Sequence, residues 1–427
     1  MQTHGWSTLY LCDLTTANSA LAATADSICA PFALSDEDIA LNANLDHWQI
    51  ASGGAGKLLR LQLRLQHGWV RIGTETRALR GCTIELELAL KWIIDTAKAQ
   101  TSRLTFDFGA YNEDLLASAP GLVTPVDFQK ADGEPDWPDL HARLLSRCVT
   151  EHLVSQQDLL AFVLAEVDVR GASASEWNKP GYVDYSYIEL EDGEGYIGVF
   201  GASEPDEQRA TNLDPVLFKR RSPLYIVLDH DLFVEQVLLP SMPLAFPPSA
   251  RAEHFSYQPA LRRIQLAKPL PTQKVQGYQP VITALTMTVR GNRVLMECAG
   301  TCNMNFLGVS MSFKISAEYQ LTFNAASGQV GFKQTASNSS SEHHIPIATR
   351  IVFVLGLGAV GIAMALVMEF VVPAVCNGIA SQLAGAPGLR AFTSQVAKPV
   401  SWFGNEGLEI ASVSLEDSLI IEGRFKK

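Results

Sequence analysis

Residues 351–368 form a run of eighteen without a single charge, reading Ile-Val-Phe-Val-Leu-Gly-Leu-Gly-Ala-Val-Gly-Ile-Ala-Met-Ala-Leu-Val-Met between Arg350 and Glu369. Such a run has to be hidden from water, and the places that can hide it limit what the chain folds into. As a helix it is about 27 Å long, barely the thickness of a bilayer core. Phe370, Val371 and Val372 extend it before Pro373. A membrane anchor nevertheless fits poorly. There is no second span, and no Lys/Arg cluster flanks the run to fix an orientation. Gly356, Gly358 and Gly361 match a G-x-G-x-x-G phosphate turn. That motif expects an acidic residue roughly 20 positions on, and none occurs between Glu369 and Glu406. A helix apolar on every side is instead expected to be buried on every side. Its glycines and alanines let strands approach closely.

The chain supplies those strands. Leu59, Leu61, Leu63 and Leu65 alternate with Arg60, Gln62 and Arg64. Ile84, Leu86 and Leu88 alternate with Glu85 and Glu87, and Leu104, Phe106 and Phe108 follow the same rule. Val309, Met311, Phe313 and Ile315, then Tyr319, Leu321 and Phe323, repeat it later. Alternation at period two means antiparallel strands with one wet and one dry face. The expected fold class is therefore α+β, with a curved antiparallel sheet wrapped around long helices.

Thr8 to Ala30 reads as a helix ended by Pro31. Strand patterns run from Ile39 to Phe108, and a helix from Asp139 to Gln157 with Leu140, Leu144, Leu145, Cys148 and Val149 on one stripe. Strands near Leu159–Val169 and Tyr182–Phe200 follow, with Asp192-Gly193 and Glu194-Gly195 as turn signals. Residues 202–212 are polar and read as a linker. The second half repeats the order: a strand at Leu224–Leu228, a helix capped by Asp229 or Asp231, strands to Phe332 with a turn at Ser327-Gly328, and a polar loop at Asn338–His344. The long apolar helix comes next, near 346–385, and strands from Leu408 to Phe425 end the chain. Two modules are expected, 1–205 and 213–427.

A hydrophobic content of 47% with 18% charged residues is that of a globular protein. The net charge of −12 disfavours nucleic acid and an electrostatic hold on anionic lipid. The opening residues carry no secretory signal pattern. The seven cysteines, Cys12, Cys29, Cys82, Cys148, Cys298, Cys302 and Cys376, are scattered and odd in number, as in a reduced protein with core thiols. A cytoplasmic location is expected, with release by lysis or a non-Sec route.

The N-terminus, Thr3-His4-Gly5-Trp6-Ser7-Thr8-Leu9-Tyr10 followed by Ala17-Asn18-Ser19-Ala20-Leu21, resembles the P47 and OrfX proteins encoded beside botulinum-type neurotoxins. Thr3, Gly5, Trp6, Asn18 and Leu21 carry the likeness. The helix from Leu232 to Pro240 and the Gly/Ala-rich run near residue 360 extend it. Ser7 stands where the family usually has Asp. The resemblance implies a tubular lipid-binding (TULIP) fold, binding of lipid or another apolar ligand, and a role beside toxin proteins.

No G-x-S-x-G elbow and no G-x-x-x-x-G-K-[ST] loop occurs. His343-His344 reads as solvated, Asp229-His230-Asp231 as a capped helix start, and Asn338-Ser339-Ser340 as a glycosylation triplet that only secretion would use. Trp6, Trp48 and Trp69 read as core. Neither enzymatic activity, nor a metal, nor a cofactor is expected. The expected function is carriage of an apolar ligand between helix and sheet, lined by Phe233, Val237, Phe353, Leu357, Val360, Met364 and Phe370. The alternative is a scaffold of a toxin complex with a packed interior.

Overall fold

In the computed structural model the described residues are 1–344 and 399–426, less 25–28, 30, 36–37, 96–99, 114–117, 158–161, 171–176, 207–208, 247–248, 273, 275–278, 304–309 and 406. The chain divides into two compact units. The first holds the described residues within Thr8–Tyr225, Lys398–Leu408 and Arg424–Lys427; the second holds those within Met1–Ser7, Ile226–Ala397 and Glu409–Gly423. Each unit thus takes in a segment from the far end of the chain.

The first unit is built on a ten-strand sheet. Its strands run in the order Phe32–Ser35, Ile39–Ala55, Leu58–Ile72, Thr83–Ile94, Thr101–Phe106, Val163–Asp168 and Val400–Trp402, with Glu75–Ala78, Ala110–Tyr111 and Leu122–Gln129 paired off that path. Neighbours are antiparallel, apart from the short parallel pair Ala110–Tyr111 and Leu122–Gln129. The alternation sets its faces. Leu59, Leu61, Leu63, Leu65, Ile84, Leu86, Leu88 and Leu104 are each at most 1% exposed. Each such side chain stabilises the fold by about 1.5–3 kcal/mol. Trp48 meets Phe106 and Phe108 edge-on at 5.9 and 5.6 Å between ring centres. On the wet face Arg60 reaches Glu85 at 3.1 Å and Glu87 at 3.8 Å across the strands.

A second layer of the first unit is the antiparallel run Tyr182–Glu189, Gly195–Ala202 and Thr8–Asp13. The helix expected over 8–30 is corrected here: Thr8–Asp13 is a strand and the helix is Leu14–Ala23. The strand is buried along nearly its whole length, so it shows no alternation to distinguish it from a buried helix. Asp13 then caps the helix, its carboxylate accepting from the Thr16 N–H at 2.8 Å. The other long helix, Asp139–Ser155, buries Leu145, Val149 and Leu153, while Leu140 at its start is 64% exposed.

The second unit carries a seven-strand antiparallel sheet, Phe255–Gln258, Arg263–Leu266, Pro280–Arg290, Arg293–Asn303, Ser310–Asn324 and Gln329–His344, with Leu270–Pro271 paired to the third. Residues 338–344, expected as a loop, belong to its last strand. Pairing with Ser310–Ser316 decides their conformation, and Asn338–Glu342 are exposed, so no alternation marks them. Leu408–Glu416 and Ser418–Phe425 form a closing hairpin, with Asp417 at φ 64° in its turn. Before the sheet runs a broken helical segment: α over His230–Phe233, a π turn over Val234–Leu238, then α again over Leu239–Ala245. Pro240 has no N–H to give the preceding turn, and the π turn absorbs that loss.

The expected fold class, two TULIP-like modules with long helices wrapped by a curved sheet, is therefore overturned. Among the described residues the helices are short, the longest being the 17 residues of Asp139–Ser155, and large antiparallel sheets dominate. Period-two alternation occupies far more of the chain than any helical stripe. The run 351–368, on which the wrapped helix rested, lies outside the described residues.

Candidate functional site

Two clefts open in the first unit, each lined in part by the hairpin formed by Tyr182–Glu189 and Gly195–Ala202. The first, a groove of about 800 Å³, has Ile188, Leu190, Leu213, Pro215 and Phe218 among its lining. These side chains give it an apolar floor. Asp214 caps the short 3-10 turn Pro215–Lys219, accepting from the Val216 N–H at 3.0 Å, and so presents Phe218 and Lys219 to the groove. Phe218 packs on Tyr196 and Tyr225 at 4.8 and 5.8 Å between ring centres.

The rim is charged. Glu189 accepts from the Tyr187 hydroxyl at 3.0 Å and from the Gly53 N–H, tying the hairpin to the end of the strand Ile39–Ala55. Burial, then the bond to Glu189, pushes the Tyr187 phenol well above its ordinary pKa. It therefore stays a neutral donor. Arg221 bridges to Asp192 and, at 3.3 Å, to Glu194. Lys219 and Glu191, both in the lining, have no ion-pair partner among the described residues.

The second cleft, of about 790 Å³, shares Arg221 with the groove. Its walls are the helix Leu14–Ala23, the strand Ile39–Ala55 with Gln62 beside it, and the turn at 193–194 with the start of the strand Gly195–Ala202. Asn18 fastens helix to strand: its amide N–H₂ donates to the Ile50 carbonyl at 3.0 Å and its carbonyl accepts the Ile50 N–H at 2.7 Å. Thr15, Ser19, Gln49, Ser52 and Gln62 face the opening, so this cleft is polar where the groove is apolar.

The sequence profile of the OrfX-like family, described as Protein OrfX2/OrfX3/P47, matches residues 3–385. The chain belongs to the OrfX-like family. Protein OrfX3 of Clostridium botulinum (strain Kyoto / Type A2) is 20% identical over 317 residues, covering 65% of this chain and 64% of that protein. The match thus spans just under two thirds of that relative's length. Two solved structures share the fold. P47 from Clostridium botulinum A2 aligns with a TM-score of 0.79 at 18% identity, over 99% of this chain and 98% of that one. P47 of Clostridium botulinum E1 aligns with a TM-score of 0.77 at 17% identity, over the full length of both.

The residues that carry the OrfX-like likeness hold structure together. His4 and Gly5 both have positive φ, 51° and 86°, and the Trp6 N–H donates back to the Thr3 carbonyl at 3.0 Å. Such a turn needs a residue without a side chain at one of its centres. Trp6 is 2% exposed. The Thr3 hydroxyl donates to Asp229 at 3.0 Å, and the other Asp229 oxygen accepts from the Asp231 N–H at 3.0 Å. Asp229-His230-Asp231 is thus a capped helix start. Asn18 is the clamp described above, and Leu21 is fully buried beside it.

Of the residues expected to line a ligand, Phe233 and Val237 are 0% and 1% exposed in the broken helical segment, and neither lines the two clefts. Phe353, Leu357, Val360, Met364 and Phe370 lie outside the described residues. Cys298 and Cys302 are buried on one face of Arg293–Asn303. Trp48 is core, but Trp69 is 42% exposed, which corrects its assignment to the interior. Among the described residues no group of three His, Cys, Asp or Glu is placed to hold a metal ion, and no helix is long and apolar enough to cross a membrane.

Sequence reasoning missed both clefts. Residues 202–212 read as a linker, yet Thr211, Asn212 and Leu213 flank the groove. Asp192-Gly193 and Glu194-Gly195 read as turns, and the carboxylates of that turn hold Arg221 between the clefts. The available signal was Leu213, Pro215 and Phe218, an apolar cluster directly after the polar stretch.

Proposed function

We propose that the chain is a non-enzymatic binding protein that holds an amphipathic ligand, an acyl chain with an anionic head, in the groove beside Tyr182–Glu189. One observation carries this reading: the apolar side chains of Ile188, Leu190, Leu213 and Phe218 share the groove with Lys219, which has no ion-pair partner among the described residues. The groove's volume falls within the range of small-molecule sites, about 300–1,000 Å³. Each buried CH₂ group contributes about 0.8 kcal/mol, and Lys219 adds a head-group contact. The likeness of the opening motif to proteins encoded beside botulinum-type neurotoxins supports a place as an accessory of a bacterial toxin system.

The test begins with native mass spectrometry of detergent-free protein and organic extraction, followed by titration of delipidated protein with a fluorescent fatty acid. Saturable uptake at one site is expected. The double variant Leu190→Asp/Leu213→Asp sets two carboxylates on the floor. It should weaken uptake about 100-fold, since an unpaired charge against an acyl chain costs several kcal/mol. Delipidated protein that takes up no fatty acid, or a double variant that binds as the parent does, sinks this reading.

A second reading, a scaffold for other toxin-system proteins, is favoured by the sixteen-residue strand Gln329–His344. It ends the seven-strand sheet, and no described strand pairs with its outer side. Such an edge can accept a strand from a partner protein. Co-purification with products of neighbouring genes, abolished by Ala336→Pro, is its expected mark. A chain that stays monomeric with each of them counts against it.

A further inference from the structure

The polar cleft has no part in acyl binding, and its lining has its own chemistry. Gln49 and Gln62 are direct partners across adjacent antiparallel strands, so their side chains leave the wet face side by side. Neither amide is bonded to any described residue, and Gln49 is exposed while Gln62 is half-buried. Together they offer four N–H donors and two carbonyl acceptors. The Leu14–Ala23 helix faces them across the opening with the Thr15 hydroxyl and with Ser19, whose hydroxyl donates to the Thr15 carbonyl at 2.8 Å and keeps its lone pairs free. Ala22 supplies an apolar patch beside them.

The charged groups around this array are already engaged. Arg221 is held by Asp192 and Glu194. His47 lies 3.1 Å from Asp46, and the Asp13 carboxylate caps its helix. Among the described residues of the lining no uncommitted cation remains for an anionic ligand, and the two carboxylates on the wall, Asp13 and Glu194, are bound. A cluster of free amides and hydroxyls without a free charge matches a ligand with many hydroxyls and no charge. Amides pair with vicinal hydroxyls by donating to one and accepting from the next, and the Asn18 clamp keeps both walls fixed while they do so.

We infer that this cleft is a second binding site, separate from the acyl groove, for a neutral saccharide. The ligand is either a free oligosaccharide or the neutral glycan of a glycoconjugate, which present the same hydroxyls.

The full chain is tested on an array of immobilised neutral, sialylated and sulfated glycans. Neutral hits, with maltotriose and lactose as further probes, are then titrated free in solution by calorimetry. Binding of neutral glycans is expected. Affinity retained in solution points to a free oligosaccharide, and binding that needs surface display points to a glycoconjugate. Gln49→Ala/Gln62→Ala should lower affinity at least about tenfold, because several hydrogen bonds to one ligand are lost together. Thr15→Trp, at an exposed helix position, should block the cleft from its other wall. Both variants should keep fatty-acid uptake and the parent melting temperature, which separates failure here from failure of the acyl reading. The inference is overturned by an array with no neutral hit, by binding confined to sialylated or sulfated glycans, or by either folded variant binding as the parent does.

Discussion

The groove and the polar cleft have nearly the same volume, about 800 and 790 Å³, and Arg221 lines both, yet their chemistry is opposite. The groove's floor comes from side chains that break the polar expectation of an exposed hairpin and connecting loop: Ile188, Leu190 and Leu213. The cleft's wall comes from Gln49 and Gln62, which obey the wet-face rule of their strands but whose amides bond to no described residue. The difference teaches where this fold can hold specificity. The dry face of the ten-strand sheet is buried; the two openings are set by a few residues on its wet face and on the hairpin and connecting segment beside it, where an apolar or a polar choice costs the fold little.

The largest disturbance of this comparison is expected at Asn18. Asn18→Ala removes both bonds to Ile50, whose own side chain is 1% exposed, and leaves its N–H and carbonyl without those partners. The expected loss is about 2–3 kcal/mol of stability, read as a lower denaturant midpoint. The polar cleft should lose its ligand with the helix wall, while fatty-acid uptake by the groove persists. Loss of both activities in a folded variant would show that the clefts are not independent.

A smaller effect contrasts the two ways in which the chain fastens its helices. The Asn18 clamp contains no titrating group. The capped helix start of the second unit contains His230, 1% exposed, with one ring nitrogen 3.3 Å from the Asp417 carbonyl. Burial, then Arg262, holds its pKa below the ordinary value, against Asp417, Asp231 and Asp229, which raise it. The unfolded chain therefore takes up the proton more readily. The stability that the neutral ring contributes is complete above the ordinary histidine value, about 6.5, and is lost as pH falls below it. His152 in the first unit, stacked on Phe32 at 4.0 Å, is lowered by burial in the same sense. Denaturant midpoints at pH 7.5 and 5.5 should fall on acidification, and His230→Asn should shrink the fall. An unchanged fall in that variant would assign the acid sensitivity elsewhere.

How much of this was legible beforehand follows from how local each signal is. Alternation at Leu59–Leu65 and Ile84–Leu88 foretold both the strands and the face they bury, because a period of two survives any tertiary arrangement. Thr8–Asp13 was misread because a strand buried along its length loses that period. Asn338–Glu342 was misread because a strand exposed on both faces loses it too. The helix cap at Asp229 was legible from local chemistry, whereas Thr3, its partner 226 residues away, was not. The clefts were invisible for the same reason. Leu190 and Leu213, or Gln49 and Gln62, mean little apart, and only the strand register and the capped turn at Asp214 bring them together.

The smallest stability effect, and the sharpest test of the partition, belongs to Arg221. Its side chain is 43% exposed, so its bridges to Asp192 and Glu194 contribute about 0–1 kcal/mol. Arg221→Ala should scarcely move the melting temperature. It should nevertheless change what each cleft accepts. With the guanidinium gone, Glu194 faces the polar cleft as an unpaired carboxylate and Asp192 faces the groove as another. An anionic acyl head near Lys219 then meets a nearby negative charge that was previously neutralised. Fatty-acid affinity should fall several-fold, and more at low salt than at high salt, because the repulsion is screened. A neutral acyl probe such as a monoglyceride should bind Arg221→Ala and parent alike. Equal losses for the charged and the neutral probe would mean that Arg221 holds the shape of the wall instead of its charge balance, and the contrast between the clefts would then rest on packing alone.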